Sequence, residues 1–109
     1  MTDAILVLTT LPASGVAADL ARTLVGEKLA ACANLIPGLR SIYRWQSKVQ
    51  DDNEVLVLLK TQKPLYERLK ARILELHPYE LPEVIAIDVA QGHQAYLDWI
   101  ARETAQPTS

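Results

Sequence analysis

The sequence predicts an α+β fold in which one antiparallel sheet carries its crossover helices on a single face. Three observations lead to it. Short apolar runs of strand length alternate with stretches whose apolar residues recur at helical spacing. The segments follow one another as β-α-β-β-α-β-α, an order in which two β-α-β units share one sheet. The first, third and fourth strands are apolar at nearly every position, so both faces of that sheet expect cover. The 109 residues suit one domain, assigned to 1–103, followed by a polar tail over 104–109 that is expected to fray.

Ala4 to Leu8 reads as a buried strand, and Thr9-Thr10-Leu11-Pro12 is expected to break it. Ser14 is placed to cap a helix, along which Val16, Leu20 and Leu24 form one apolar face. Ala18, Val25 and Leu29 form a weaker second stripe, and Gly26 inside this helix costs about 1 kcal/mol relative to alanine. Ala33 to Arg44 reads as a strand bent at Pro37-Gly38, because proline removes a ladder donor and glycine permits a kink. Gln46 and Ser47 make a tight turn into a long strand, Lys48 to Thr61, with a bulge expected at Asp51-Asp52-Asn53. Pro64 suits a first helical turn, and Leu65, Leu69, Ile73 and Leu76 make the stripe behind it. Pro78 ends that helix, Tyr79 to Pro82 is loop, and Val84 to Ile87 is the next apolar strand. Gly92 opens a last helix whose contact face is Tyr96, Leu97 and Ile100.

This is the ferredoxin-like split β-α-β-β-α-β sheet with an added C-terminal helix. Its two crossover helices lie on one face and leave the other open. In a monomer that open face should alternate polar with apolar residues, and these strands do not. The last helix is too short to cover it. Further copies of the chain are the economical cover, so the sequence predicts a homo-oligomer.

Composition narrows the function. The net charge is -2 and the isoelectric point near 5.6, with basic residues scattered beside acids, so nucleic acid has no electrostatic footprint here. No apolar run is long enough for a membrane span or a signal peptide, and the single cysteine excludes an internal disulfide; a cytoplasmic protein is the natural reading. Two histidines in separate loops and the lack of GxSxG, P-loop and GxGxxG patterns argue against an enzyme.

Four features carry possible chemistry. His77, Glu80 and Glu83 flank Pro78 and Pro82, a rigid loop whose imidazole and carboxylates suit a divalent cation, against the competing reading of a solvated loop. Cys32 lies among small residues and reads first as a small buried hydrophobe. Gly92-His93 offers helix-start N–H groups to an anion, or is a plain turn. Tyr43, Trp45, Tyr79, Tyr96 and Trp99, in a chain without phenylalanine, suit half-wet subunit clefts, and Lys60 is the charge placed to enter one.

Several blocks together resemble a known family. They are Leu29-Ala30-Ala31-Cys32-Ala33-Asn34-Leu35-Ile36-Pro37-Gly38, Ser41-Ile42-Tyr43-Arg44-Trp45, Glu54-Val55, Lys60-Thr61, His77-Pro78-Tyr79-Glu80-Leu81-Pro82-Glu83 and Tyr96-Leu97-Asp98-Trp99. In this order they are similar to the CutA divalent-cation-tolerance family, across all of the chain but its tail. The resemblance implies a homotrimer built like the PII signalling proteins, with hairpin strands reaching across to neighbours, and a role in tolerance of copper and other divalent metals. It implies a ligand at the clefts between subunits, a divalent metal ion (copper or zinc, not required for folding) or a small anion. To those clefts we assign Cys32, Asn34, Tyr43, Trp45, Lys60, Tyr79, Glu83 and Trp99. Two departures stand out. Some members carry a metal-ligating cysteine where this chain has Leu8-Thr9-Thr10, and a second histidine where it has Leu76, so only His77 of that set is present. A glycine usual in the hairpin turn is Ser47 here. The rival reading is a PII-like signalling module that binds a partner protein and has no metal role.

Overall fold

A computed structural model describes residues 2–107. Met1 and the last two residues of the tail, Thr108 and Ser109, lie outside the described residues. The elements are β1 (Ala4–Pro12), α1 (Val16–Gly26), β2 (Cys32–Trp45), β3 (Lys48–Gln62), a 3-10 turn (Lys63–Leu65), α2 (Tyr66–Leu76), β4 (Ile85–Asp88) and α3 (Gln94–Glu103). The four strands form one sheet in the order β2-β3-β1-β4 with every neighbouring pair antiparallel, the ferredoxin-like arrangement. No helix among the described residues is long and apolar enough to cross a membrane.

Register separates the two faces. Ile5, Val7, Thr9 and Leu11 of β1 lie opposite Thr61, Leu59, Val57 and Val55 of β3. These eight face the helices and are buried, packed with Leu20 and Leu24 of α1 and Leu69 and Ile73 of α2. The alternate residues point the other way. There Leu6, Leu8, Leu56 and Leu58 are only partly covered, and Ile36, Ile85 and Ile87 are 44%, 49% and 50% exposed. α3 lies at one end of this second face, where Gln62 donates to Thr104 Oγ1 at 2.9 Å and Lys60 to the Tyr96 hydroxyl at 3.1 Å. The apolar middle of the face stays open.

β2 and β3 run past the sheet as a two-stranded arm. β1 reaches β3 only as far as Glu54, so Lys48 to Asn53 pair with β2 alone. At about 3.4 Å per residue the arm projects some 20 Å. Its Ile42 and Val49 are 65% and 68% exposed. Gln46 and Ser47 at its tip both have positive φ, 51° and 65°, as a two-residue turn matched to the strand twist requires.

The structure differs from the sequence reading in six places. β1 does not stop at Leu8: Thr9 and Leu11 are buried ladder residues opposite Val57 and Val55, and threonine suits a strand. No bulge falls at Asp51-Asp52-Asn53, whose pairing with Ile42, Ser41 and Arg40 is regular. The irregularity lies on β2 between Ile36 and Leu39, as the Pro37-Gly38 pair predicts, and Gly38 there takes φ 77°. Gly26 is the last residue of α1 rather than an interior one, and Gly15 caps that helix, with Ser14 Oγ 3.4 Å from the Val16 N–H. Gly92 precedes α3, capped by His93, and is small for a packing reason: a Cβ there would sit 2.9 Å from the Leu97 side chain. Thr104, expected to fray, is buried and donates to the Ile100 carbonyl at 2.8 Å.

Candidate functional site

A cleft of about 550 Å³ opens between the arm, the end of β1 and the loop after α2. Tyr43 and Trp45 enter it from β2, Glu54 from β3, and Tyr79, Glu80 and Glu83 from the loop. Alternation along a strand puts Ser41, Tyr43 and Trp45 on one face of the arm, so β2 supplies a wall rather than a point.

His77 holds the loop in place. Its Nδ1 accepts the Tyr79 N–H at 3.1 Å, so Nε2 carries the ring proton and donates to the Thr10 carbonyl at 2.8 Å. The imidazole is 8% exposed, and burial pushes its pKa below the ordinary 6.5, opposed by its bond to Thr10 and the nearby charge of Glu54. A histidine held neutral supports stability above its ordinary pKa, and that support is lost as pH falls through the lowered native value. Urea denaturation between about pH 8 and about pH 5 is therefore expected to show stability falling with pH, with a flatter dependence in His77→Gln. An unchanged pH dependence in that variant would remove His77 from the account.

Fixing His77 also fixes Tyr79, whose ring lies 4.8 Å from the imidazole and whose hydroxyl donates to Glu54 Oε2 at 2.6 Å. Glu54 is only 5% exposed, and this bond matches its desolvated carboxylate. Burial, and then the bond to Glu54, push the Tyr79 phenol well above its ordinary range. The Tyr43 hydroxyl donates to Asp52, and that bond, followed by desolvation, raises its pKa too. Tyr79→Phe leaves the Glu54 carboxylate without its donor and is expected to cost about 1 kcal/mol in chemical denaturation. A Phe variant as stable as the parent would show that water serves Glu54 equally well.

The assigned residues fall into two groups. Tyr43, Trp45, Tyr79, Glu80 and Glu83 share the cleft. Cys32, Asn34 and Lys60 lie instead on the open sheet face, where Cys32 pairs with Lys60 and Asn34 with Leu58. Cys32 Sγ points at Asn34 Oδ1 from 3.7 Å, while Lys60 Nζ sits 5.3 Å over the Tyr96 ring. Tyr96 in turn packs on Trp99 with ring centroids 5.4 Å apart. Lys60 is six residues along β3 from Glu54, about 20 Å, so one chain does not bring these groups together.

Two observations on the single chain bear on the expected ligand chemistry. Both nitrogens of His77 are engaged, and among the described residues no group of three histidine, cysteine or acidic side chains is placed to hold a metal ion. His77, Glu80 and Glu83 therefore do not form a ligand set within one chain. Within one chain Glu54, Glu80 and Glu83 line the cleft and no described lysine or arginine does. Glu54, which lines the cleft, and Asp52, which accepts from the Tyr43 hydroxyl, are residues that sequence reasoning did not assign to the site. The available signal was an acid at the edge of the apolar run Val55 to Leu59, with tyrosines in the chain needing partners.

The sequence model of the family described as CutA1 divalent ion tolerance protein matches residues 5–103. The chain belongs to the CutA1 family. It is 49% identical over 98 residues to the divalent-cation tolerance protein CutA of Thermus thermophilus, covering 90% of this chain and 95% of that protein. It is 46% identical over 95 residues to Protein CutA of Mus musculus, covering 87% of this chain but 54% of that longer protein. The crystal structure of CutA from Xylella fastidiosa superposes with a TM-score of 0.92 at 40% identity, over 95% of this chain and 100% of that one. The CutA1 match takes in every strand and helix, the arm and the cleft residues alike.

Proposed function

We propose that the chain works as a non-enzymatic CutA homotrimer in the tolerance of, or response to, divalent cations such as copper, and that its clefts bind a small ligand in the cytoplasm. The observation that carries the reading is the open sheet face. Leu6, Leu8, Ile36, Leu56, Leu58, Ile85 and Ile87 leave an apolar surface of the kind that marks protein–protein contact. The arm supports it, because an isolated two-stranded ribbon is marginal in water and its exposed Ile42 and Val49 gain by lying on a neighbour. Three copies is the number that the family resemblance implies. In such an assembly the cleft of one subunit and the Lys60 and Cys32 group of another come within reach of each other, which accounts for their separation within one chain.

The cellular role follows from the relatives' names, which speak of divalent-cation tolerance. The growth of a deletion strain in excess copper or zinc tests it. Impaired growth, restored by the wild-type gene and not by a variant that cannot assemble, is the expected result. A strain that grows like its parent in both metals would overturn the role.

A further inference from the structure

We propose that residues 104–106 are a latch on α3. Closed, they pin the helix to the end of the sheet and keep the Lys60 ammonium on the Tyr96 hydroxyl. Open, they let α3 leave as a unit and free that ammonium. The latch is built within one chain and holds whatever the subunit clefts bind. α3 buries a single side chain of its own chain, Ile100, while Leu97 and Trp99 are half-buried. A helix of ten residues is marginal in water by itself, so with this little apolar cover the bonds at its end decide where it sits.

Thr104 is the inner half of the latch. It is buried, and its Oγ1 donates to the Ile100 carbonyl at 2.8 Å and accepts from Gln62 Nε2 of β3 at 2.9 Å. Gln106 is the outer half, and its amide is engaged in three directions. Nε2 donates to the Thr104 carbonyl at 2.8 Å and to the Lys28 carbonyl at 3.1 Å, while Oε1 accepts from Arg68 Nη1 at 3.0 Å. One side chain thus ties the end of α3 to the turn after α1 and to α2. Lys28 is a fixed anchor: it takes φ 61°, its N–H bonds to the Val25 carbonyl and the next N–H, of Leu29, to that of Leu24. Three residues on, the Ala31 N–H donates to the Lys60 carbonyl at 2.8 Å. The segment that anchors the latch therefore holds the backbone of the residue whose side chain α3 holds.

Hydrogen exchange of the assembled protein, read by mass spectrometry on peptides from α3, tests the latch. Thr104→Val removes the hydroxyl at nearly unchanged volume and should speed exchange over Gln94–Glu103 roughly fivefold. Gln106→Leu, which removes more exposed bonds, should speed it roughly threefold. Amides of α1, α2 and β1 should exchange as in the parent, which separates the opening of α3 from a loss of global stability. With Trp45 replaced by Phe, Trp99 is the one tryptophan left, and its ring lies 5.4 Å from that of Tyr96. Its quenching by acrylamide should rise in both latch variants. Exchange of α3 that neither substitution changes means that something else holds the helix, a neighbouring subunit included, and overturns the inference. Faster exchange spread evenly over the whole chain overturns it too. Faster exchange of α3 with unchanged Trp99 quenching would show a helix that frays without leaving Lys60, and does the same.

Discussion

Leu58→Asp is expected to dissolve the assembly into folded monomers. Leu58 lies mid-strand on the open face, opposite Leu8 on one side and Asn34 on the other. It points away from the helix-covered core, so the isolated chain can keep its fold with a carboxylate there. Buried between subunits, the same carboxylate lies across the ladder from Leu8 and Asn34, with Lys60 two residues along β3 already bonded to Tyr96, and a buried charge without a direct partner costs several kcal/mol per subunit. Light scattering should give the mass of one chain, with a far-UV circular dichroism spectrum unchanged in shape. A variant that keeps the parent's mass would mean that the open face is not the contact surface.

Leu69→Ala is the second large effect, and it acts on the fold rather than the assembly. Leu69 is fully buried on α2, in the cluster that joins Val57 and Leu59 of β3 to Leu24 of α1. Truncation removes its transfer free energy and leaves a cavity between helix and sheet, at a cost of about 2–5 kcal/mol. Leu74, on the same helix but 49% exposed, should cost within about 0.5 kcal/mol when replaced by alanine. Denaturant midpoints at one fixed protein concentration make the comparison, because unfolding of an oligomer shifts with concentration. Equal losses at the two positions would show that the helix face has been misassigned.

Element order and type were legible because the apolar periodicity is strong. Leu65, Leu69, Ile73 and Leu76 repeat at helical spacing, and the run Val55 to Leu59 suits only a strand buried on one face and covered on the other. The end of β1 was not legible. Thr9-Thr10-Leu11-Pro12 has the composition of a loop, and only pairing with β3 out to Glu54 makes it strand. The aspartates of the arm looked like a distortion for a similar reason. Their partners, Arg40 with Asp51 at 2.9 and 2.7 Å and Tyr43 with Asp52, lie across the hairpin, where sequence spacing does not reach.

The cleft was half legible. Its aromatic residues stood out by type, since Tyr43, Trp45 and Tyr79 need a place where a ring packs and a polar tip stays wet. Glu54 was hidden because its significance is tertiary: it is buried by the loop and matched by a tyrosine 25 positions away. His77 misled in the opposite direction. Its chemistry suits a metal, but the backbone of Thr10 and Tyr79 engages both ring nitrogens and makes it a bracket for the loop.

The central claim is that copies of this chain cover the open sheet face, and the molar mass of the wild-type protein at micromolar concentration tests it most directly. Light scattering should report three times the 12.1 kDa of the chain, unchanged on dilution. A stable, fully folded species of 12.1 kDa would contradict it.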